Sequence, residues 1–159
     1  MSFLIELNKK RNKLFEEWDE AYNTIKSELD SLISSFEDIR KIPLPEFQDL
    51  TIKFYTIHLC NFFFFHIRKL LVEKNSGNET LKLLRNAFSN PSNTPSPASM
   101  NDLLSYLISD ENSLQILCGY YKKIQEIRNK YAHGASNETT LNITMDEFKT
   151  IYEDVKAIK

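Results

Sequence analysis

Apolar residues recur at helical spacing along most of the chain. Between residues 3 and 37, Leu7, Leu14, Trp18, Tyr22, Ile25, Leu29, Leu32 and Phe36 follow one another at intervals of three, four or seven. Such intervals draw one stripe down a long helix, and Glu16, Glu17, Asp19, Glu20, Lys26 and Glu28 fall mostly on its other sides. The repeat is close to that of a coiled coil, which predicts a nearly antiparallel neighbour. Pro43 and Pro45 in the segment Lys-Ile-Pro-Leu-Pro-Glu-Phe stop the pattern, because neither continues a helix interior.

A second long helix is predicted from about 46 to 73, with Phe47, Leu50, Phe54, Ile57, Phe64, Ile67 and Leu71 as its inner stripe. Asn61 falls on the same stripe, where a buried amide needs a hydrogen-bond partner. Phe62, Phe63, Phe64 and Phe65 are consecutive. At roughly 100° per residue they spread over about 300° of the helix. Either this helix is central to the fold, or part of it faces another subunit. A short strand would also accommodate four aromatics, but the helical pattern continues on both sides of them.

Asn75-Ser76-Gly77-Asn78 reads as a turn, with Asn78 as N-cap of a helix beginning at Glu79. Residues 89–99, with three prolines among serines and asparagines, predict a mobile surface loop. A short helix is expected over about 100–109 and a longer one over about 112–133, burying Leu114, Leu117, Tyr121, Ile124 and Tyr131. Gly134 stands where a left-handed C-terminal cap belongs. Thr144-Met145-Asp146-Glu147 is a capping box, opening a last helix with Phe148, Ile151, Tyr152 and Val155 inward. The expected architecture is all-α. It is an antiparallel bundle of three or four long helices plus short ones, forming a single domain over 1–159.

Composition narrows the picture. A chain of 159 residues with 42% hydrophobic content supports one core, and three glycines are too few for a chain of tight hairpins. No stretch of about 18 apolar residues is present, so no membrane span is expected. The start of the chain, apolar before basic, reverses the order of a secretion signal. Cys60 and Cys118 lie in apolar surroundings far apart in sequence and read as reduced thiols. Together these features predict a cytoplasmic protein. A net charge of −2 argues against binding nucleic acid through bulk charge, though a local patch remains open. His58, His66 and His133 are scattered, and no Gly-rich phosphate loop, zinc motif or nucleophile elbow is present, so neither metal nor cofactor is expected.

One segment gathers chemistry: Ile127-Arg128-Asn129-Lys130-Tyr131-Ala132-His133-Gly134, at the end of the predicted long helix. Arg128 borders the apolar stripe of Ile124 and Tyr131, and a guanidinium held there calls for an anionic partner. Glu126 and Glu153 are candidates for a plain surface ion pair. Asn129 and His133, four apart, share an adjacent face. A phosphodiester suits this set. Arginine presents a planar, permanently charged fork to phosphate oxygens. Histidine moves protons near neutral pH, and the dipole at a helix end favours its charged form. RNA carries its own nucleophile in the adjacent 2′-hydroxyl, so an Arg/His pair is chemically sufficient for its cleavage. Lys122, Lys123 and Lys130 surround the segment and are candidate contacts for a phosphate backbone, or else ordinary solvated lysines. His58 and His66 read as packed or interfacial.

Arg128-Asn129-x-x-x-His133, late in an all-α chain, resembles the Rx4–6H signature of the HEPN (higher eukaryotes and prokaryotes nucleotide-binding) superfamily. The match is close over about eight residues and loose over the helical layout. The resemblance implies a helical homodimer with the motif at the subunit interface. It also implies metal-independent endoribonuclease activity, as in toxins and phage-defence effectors that answer to an antitoxin or another partner protein. Arg128 and His133 would be catalytic, and Asn129 would orient them or the phosphate. One toxin subgroup carries a modified Tyr two residues after the His; here that position is Ala135. The alternative expectation is a non-enzymatic helical module for binding protein or RNA.

Overall fold

A computed structural model of the protein describes residues 2–74, 95–132 and 143–159. They form six helices: α1 (Ser2–Ser34), α2 (Phe36–Lys41), α3 (Pro45–Lys74), α4 (Pro97–Ser105), α5 (Glu111–Ala132) and α6 (Met145–Lys156). Among the described residues there is no strand, and the fold is all-α. No described helix is long and apolar enough to cross a membrane. The helix expected from Glu79 lies outside the described residues, as does the cap expected at Gly134.

Tyr22, Leu29, Leu32 and Phe36 of the first stripe are buried and Trp18 and Ile25 half-buried, while the side chains of Leu7 and Leu14 lie outside the described ones; the helix is broken at Ser35. Ser34 and Ser35 turn their hydroxyls back onto the carbonyls of Asp30 and Ser31, each at 2.9 Å. Such back-bonding competes with the helical ladder and bends it. The Ser35 amide is shared between the Ser31 and Leu32 carbonyls, and α2 starts anew at Phe36.

α3 touches α1, α4, α5 and α6, and is the axis of the fold. This explains the run of four phenylalanines without a second subunit. Phe62 stacks on Tyr22 of α1, with ring centroids 5.6 Å apart, and leans on Tyr152 of α6 at 4.8 Å. Phe63 meets Tyr121 of α5 edge-on at 5.2 Å. Phe64 is buried and Phe65 half-buried. A helix apolar all round is satisfied by neighbours on several sides.

The same all-round apolarity misleads about register in the first half of α3. The buried positions there are Ile52, Thr56 and Leu59, whereas Leu50 and Phe54 of the expected stripe are exposed. Ile52, Thr56, Leu59, Phe63 and Ile67 obey helical spacing as well as the expected set does, so periodicity alone does not separate them. Thr56 satisfies its buried hydroxyl by donating to the Ile52 carbonyl at 2.7 Å. Asn61 is half-buried.

Contacts fix the helix directions. Asp19 meets Arg68, Tyr22 meets His66 and Glu28 approaches His58, so α1 and α3 run in opposite senses. Tyr120 reaches Asp154 and Lys123 reaches Glu147, so α5 and α6 also oppose. α3 and α6 run the same way, since Phe62 faces Tyr152 and His66 faces Ile158. Directions in the bundle are therefore mixed.

Two helix starts follow their sequences. Thr144 caps α6 by accepting from the Glu147 amide at 3.1 Å, and Phe148, Ile151, Tyr152 and Val155 are buried as the box predicts. Ser96 caps α4 by accepting from the Ser99 amide, with Pro97 in the first helical position. α4 thus begins three residues earlier than expected and ends at Ser105. Of the loop expected over 89–99, residues 89–94 lie outside the described residues; Pro95 is buried and 97–99 are helical.

Candidate functional site

α5 carries the expected motif at its far end. Leu117, Tyr121, Ile124 and Ile127 bury one side of this helix, and Gln125 is buried beside them. Tyr121, Gln125 and Arg128 stand at i, i+4 and i+7, within about 60° of one another around the axis. The first two converge on one atom. The Tyr121 hydroxyl donates to the Pro95 carbonyl, and Gln125 Nε2 donates to the same oxygen at 2.6 Å. Arg128 is the next position along this covered ridge, and it is half-buried for that reason. Its Nη1 donates to Asn129 Oδ1 at 3.2 Å, joining the two candidate residues directly. Asn129 itself is exposed.

His133, the expected proton carrier, lies outside the described residues. The three candidate lysines occupy different environments. Lys122 is exposed, and Lys130 is half-buried. Lys123 Nζ lies 2.6 Å from Glu147 Oε2, which ties α5 to the first turn of α6. Glu147 does double duty, because its amide is also the one held by Thr144. Among the described residues no three His, Cys, Asp or Glu side chains gather as a metal would require.

A second polar cluster, which sequence spacing did not single out, sits between α1, α3 and α6. His66 is 7% exposed and forms two hydrogen bonds. Its Nε2 lies 3.1 Å from the Ile158 carbonyl, an acceptor only, so Nε2 carries the proton. Nδ1 is then a lone pair, and the Tyr22 hydroxyl donates to it at 2.8 Å. Burial pushes the His66 pKa below that of a free histidine. Nearby, Tyr152 donates to Asp30 Oδ1 at 2.5 Å, and Lys156 Nζ stands 3.5 Å from the same oxygen. Burial raises the Tyr152 pKa first, and the Asp30 carboxylate raises it further. The signal was present in the stripes: Tyr22 and Tyr152 are core positions, and a buried phenol needs a polar partner.

A third group surrounds Arg68, which is buried with its guanidinium 4.5 Å from the centroid of the Trp18 ring. Its Nη1 donates to Asp19 Oδ1 at 3.2 Å. Burial lowers its pKa, and the Asp19 carboxylate offsets part of that. His58 is half-buried beside Phe54 and Tyr55, 3.9 Å from Glu28. Cys60 is a buried thiol outside any disulfide; Cys118, half-buried, donates to Asn101 Oδ1 at 3.1 Å.

Fold and site together define an all-α protein with an Arg-Asn pair on the last turns of a long helix. No family model, curated protein or solved structure matches the chain.

Proposed function

We propose that the protein is a metal-independent endoribonuclease of HEPN type, acting as a toxin or phage-defence effector. The observation supporting this reading is the half-buried Arg128, joined to Asn129 and followed at the proper interval by His133. In the proposed reaction the 2′-oxygen attacks the adjacent phosphorus and the bond to the 5′-oxygen breaks. The proton leaves the 2′-hydroxyl and one is delivered to the 5′-oxygen, with His133 serving as proton carrier. The products are a 2′,3′-cyclic phosphate and a 5′-hydroxyl. Arg128 stabilises the negative charge that builds on the phosphorane oxygens, and its contact with Asn129 holds the guanidinium in position. Lys122, Lys123 and Lys130 border the approach for the RNA backbone, with Lys123 shared with Glu147. A homodimer would bring two copies of the motif together, and an antitoxin or defence partner would restrain it.

The test is RNA cleavage in EDTA by the parent protein, Arg128→Ala and His133→Ala, with analysis of the end groups. Cyclic phosphate ends from the parent and loss of activity in both variants are expected. Equal activity in all three, or activity that requires added metal, overturns the assignment.

A second reading draws on the exposed side chains of Leu50 and Phe54, apolar positions on the central helix that the described residues leave uncovered. In that reading the protein is a non-enzymatic helical module that docks a protein or RNA. It predicts no RNA cleavage by the parent protein and loss of complex formation in Phe54→Asp.

A further inference from the structure

A groove of about 520 Å³ runs between the second half of α1, α2 and the first half of α3. Ser27, Glu28, Ser31 and Leu32 line it from α1, Ile39 from α2 and Tyr55 from α3. Tyr55 belongs to a knot of three rings. Phe54 meets Tyr55 edge-on at 5.4 Å and His58 at 5.6 Å, and Tyr55 and His58 are 5.6 Å apart. Phe54 is exposed, as is Leu50 one turn before it, so apolar surface continues along α3 from the rim of the groove.

The charge of the groove has one sign. Among the described residues that line it, Glu28 is the one charged side chain, and it is exposed. His58 Nδ1 lies 3.9 Å from its carboxylate, beyond hydrogen-bonding distance. The last turn of α1 borders the groove through Ser31 and carries no basic residue, so the negative end of the helix dipole acts in the same sense. The cations of α2 are turned elsewhere: Arg40 pairs with Glu37 and Asp146, and Lys41 lies 4.0 Å from Asp38.

An aromatic wall beside a carboxylate suits a cation, and a guanidinium satisfies both at once. It stacks flat on a ring and donates in a fork to a carboxylate. The chain builds this combination in its own interior, where Arg68 lies 4.5 Å from the centroid of the Trp18 ring and donates to Asp19 at 3.2 Å. In the groove Tyr55 and Glu28 offer the same two partners, and none of the described lining residues is a cation. A phosphate backbone would meet Glu28 with like charge. A small free cation would fill the groove and leave Leu50 and Phe54 uncovered, whereas a polypeptide segment reaches both.

We propose that this groove docks an arginine of a partner protein, with the guanidinium against Tyr55 and donating to Glu28, and an apolar neighbour of that arginine covering Phe54 and Leu50. The proposal is independent of RNA cleavage. It rests on the docking reading of Leu50 and Phe54 for its apolar half and narrows that reading to a protein with a basic anchor.

The experiment is an NMR titration of the full chain, following the amides of Glu28, Ser31 and Tyr55, with Leu117 and Tyr121 of α5 as controls. The probes are N-acetylarginine methylamide, its neutral citrulline counterpart, and N-acetylated tetrapeptide amides with one arginine and one leucine among glycines, in every arrangement. At up to about 50 mM, where binding weaker than millimolar is visible, the arginine probe is expected to shift the groove amides and spare the controls. Citrulline is expected to bind at least about tenfold more weakly, and Glu28→Gln, at an exposed position, to remove that difference. At least one tetrapeptide is expected to bind about fivefold tighter than the methylamide, a gain that Phe54→Ala erases while the preference for arginine remains.

The proposal is overturned if the groove amides do not shift, if citrulline matches arginine, or if Glu28→Gln binds as the parent does. If no tetrapeptide exceeds the methylamide, the groove is a site for a free cation and the partner protein falls. If oligouridylate shifts the same amides at lower concentration than any peptide, RNA is the occupant instead. Should Phe54→Ala weaken peptides that bind equally well with citrulline, the docking reading stands and the arginine anchor fails.

Discussion

Two arginines on two helices divide the molecule's chemistry. Arg68, on α3, is closed in: the Trp18 ring covers its face and Asp19 takes one of its nitrogens at 3.2 Å. Arg128, on α5, stands at the margin of a buried ridge and is joined to a neutral, exposed amide. The first guanidinium finds its carboxylate within the fold and fastens α1 to α3. The second donates to the amide oxygen of the next residue, at the margin of the fold. A buried arginine is thus a poor guide to function until what it touches is known.

The sharpest way to break this comparison is to remove each side chain in turn. Arg128→Ala is expected to lower RNA cleavage by about 100-fold or more, as is His133→Ala, with little change in the urea midpoint. Arg68→Ala is expected to do the reverse. It costs about 3 kcal/mol in urea unfolding, because packing against Trp18 and the pairing with Asp19 are lost together, while the folded fraction keeps its activity. If Arg68→Ala abolishes cleavage without loss of stability, the division between the two residues fails.

Acid sharpens it further. The pKa of His66 is lowered by folding from an unfolded value of about 6.5. Over that window the unfolded chain binds more protons than the native one, so stability rises with pH. The contribution is fully present above about pH 6.5, falls as the pH drops below that value, and levels off once the folded histidine is also charged. Thermal unfolding of His66→Gln beside the parent isolates it, and parallel acid profiles count against it. Smaller again is the cap: Thr144→Ala is expected to cost about 1 kcal/mol. Lys122→Ala, at an exposed position, is expected to leave stability unchanged and to weaken RNA binding slightly, with a shallower salt dependence.

These regions differ also in how plainly the sequence announces them. α6 was legible to the residue, because a capping box and an amphipathic stripe point to the same start and the same inner face. From Tyr22 onward the inner face of α1 was legible, but not the break at Ser35, where two serine hydroxyls compete with the backbone. The inner face of α3 was not, because a helix with apolar residues all round has no contrast from which to read a phase; Leu50 and Phe54 were assigned inward and stand outward. Of the candidate site, spacing placed Arg128 correctly on the border of the apolar stripe, and it missed the long-range partners. Nothing local in Gln125 or Tyr121 announces that both reach Pro95, 30 and 26 positions away. His66 with Ile158, 92 apart, is likewise a product of the tertiary fold.

The doubly bonded carbonyl of Pro95 carries a practical consequence. With Tyr121 and Gln125 both anchored on one oxygen, the entry to α4 is riveted to α5. Whatever length of chain is spliced in before that rivet, the two helices after it inherit the same alignment. An engineer seeking a place to graft a tag or a reporter without disturbing the end of α5 should cut upstream of residue 95.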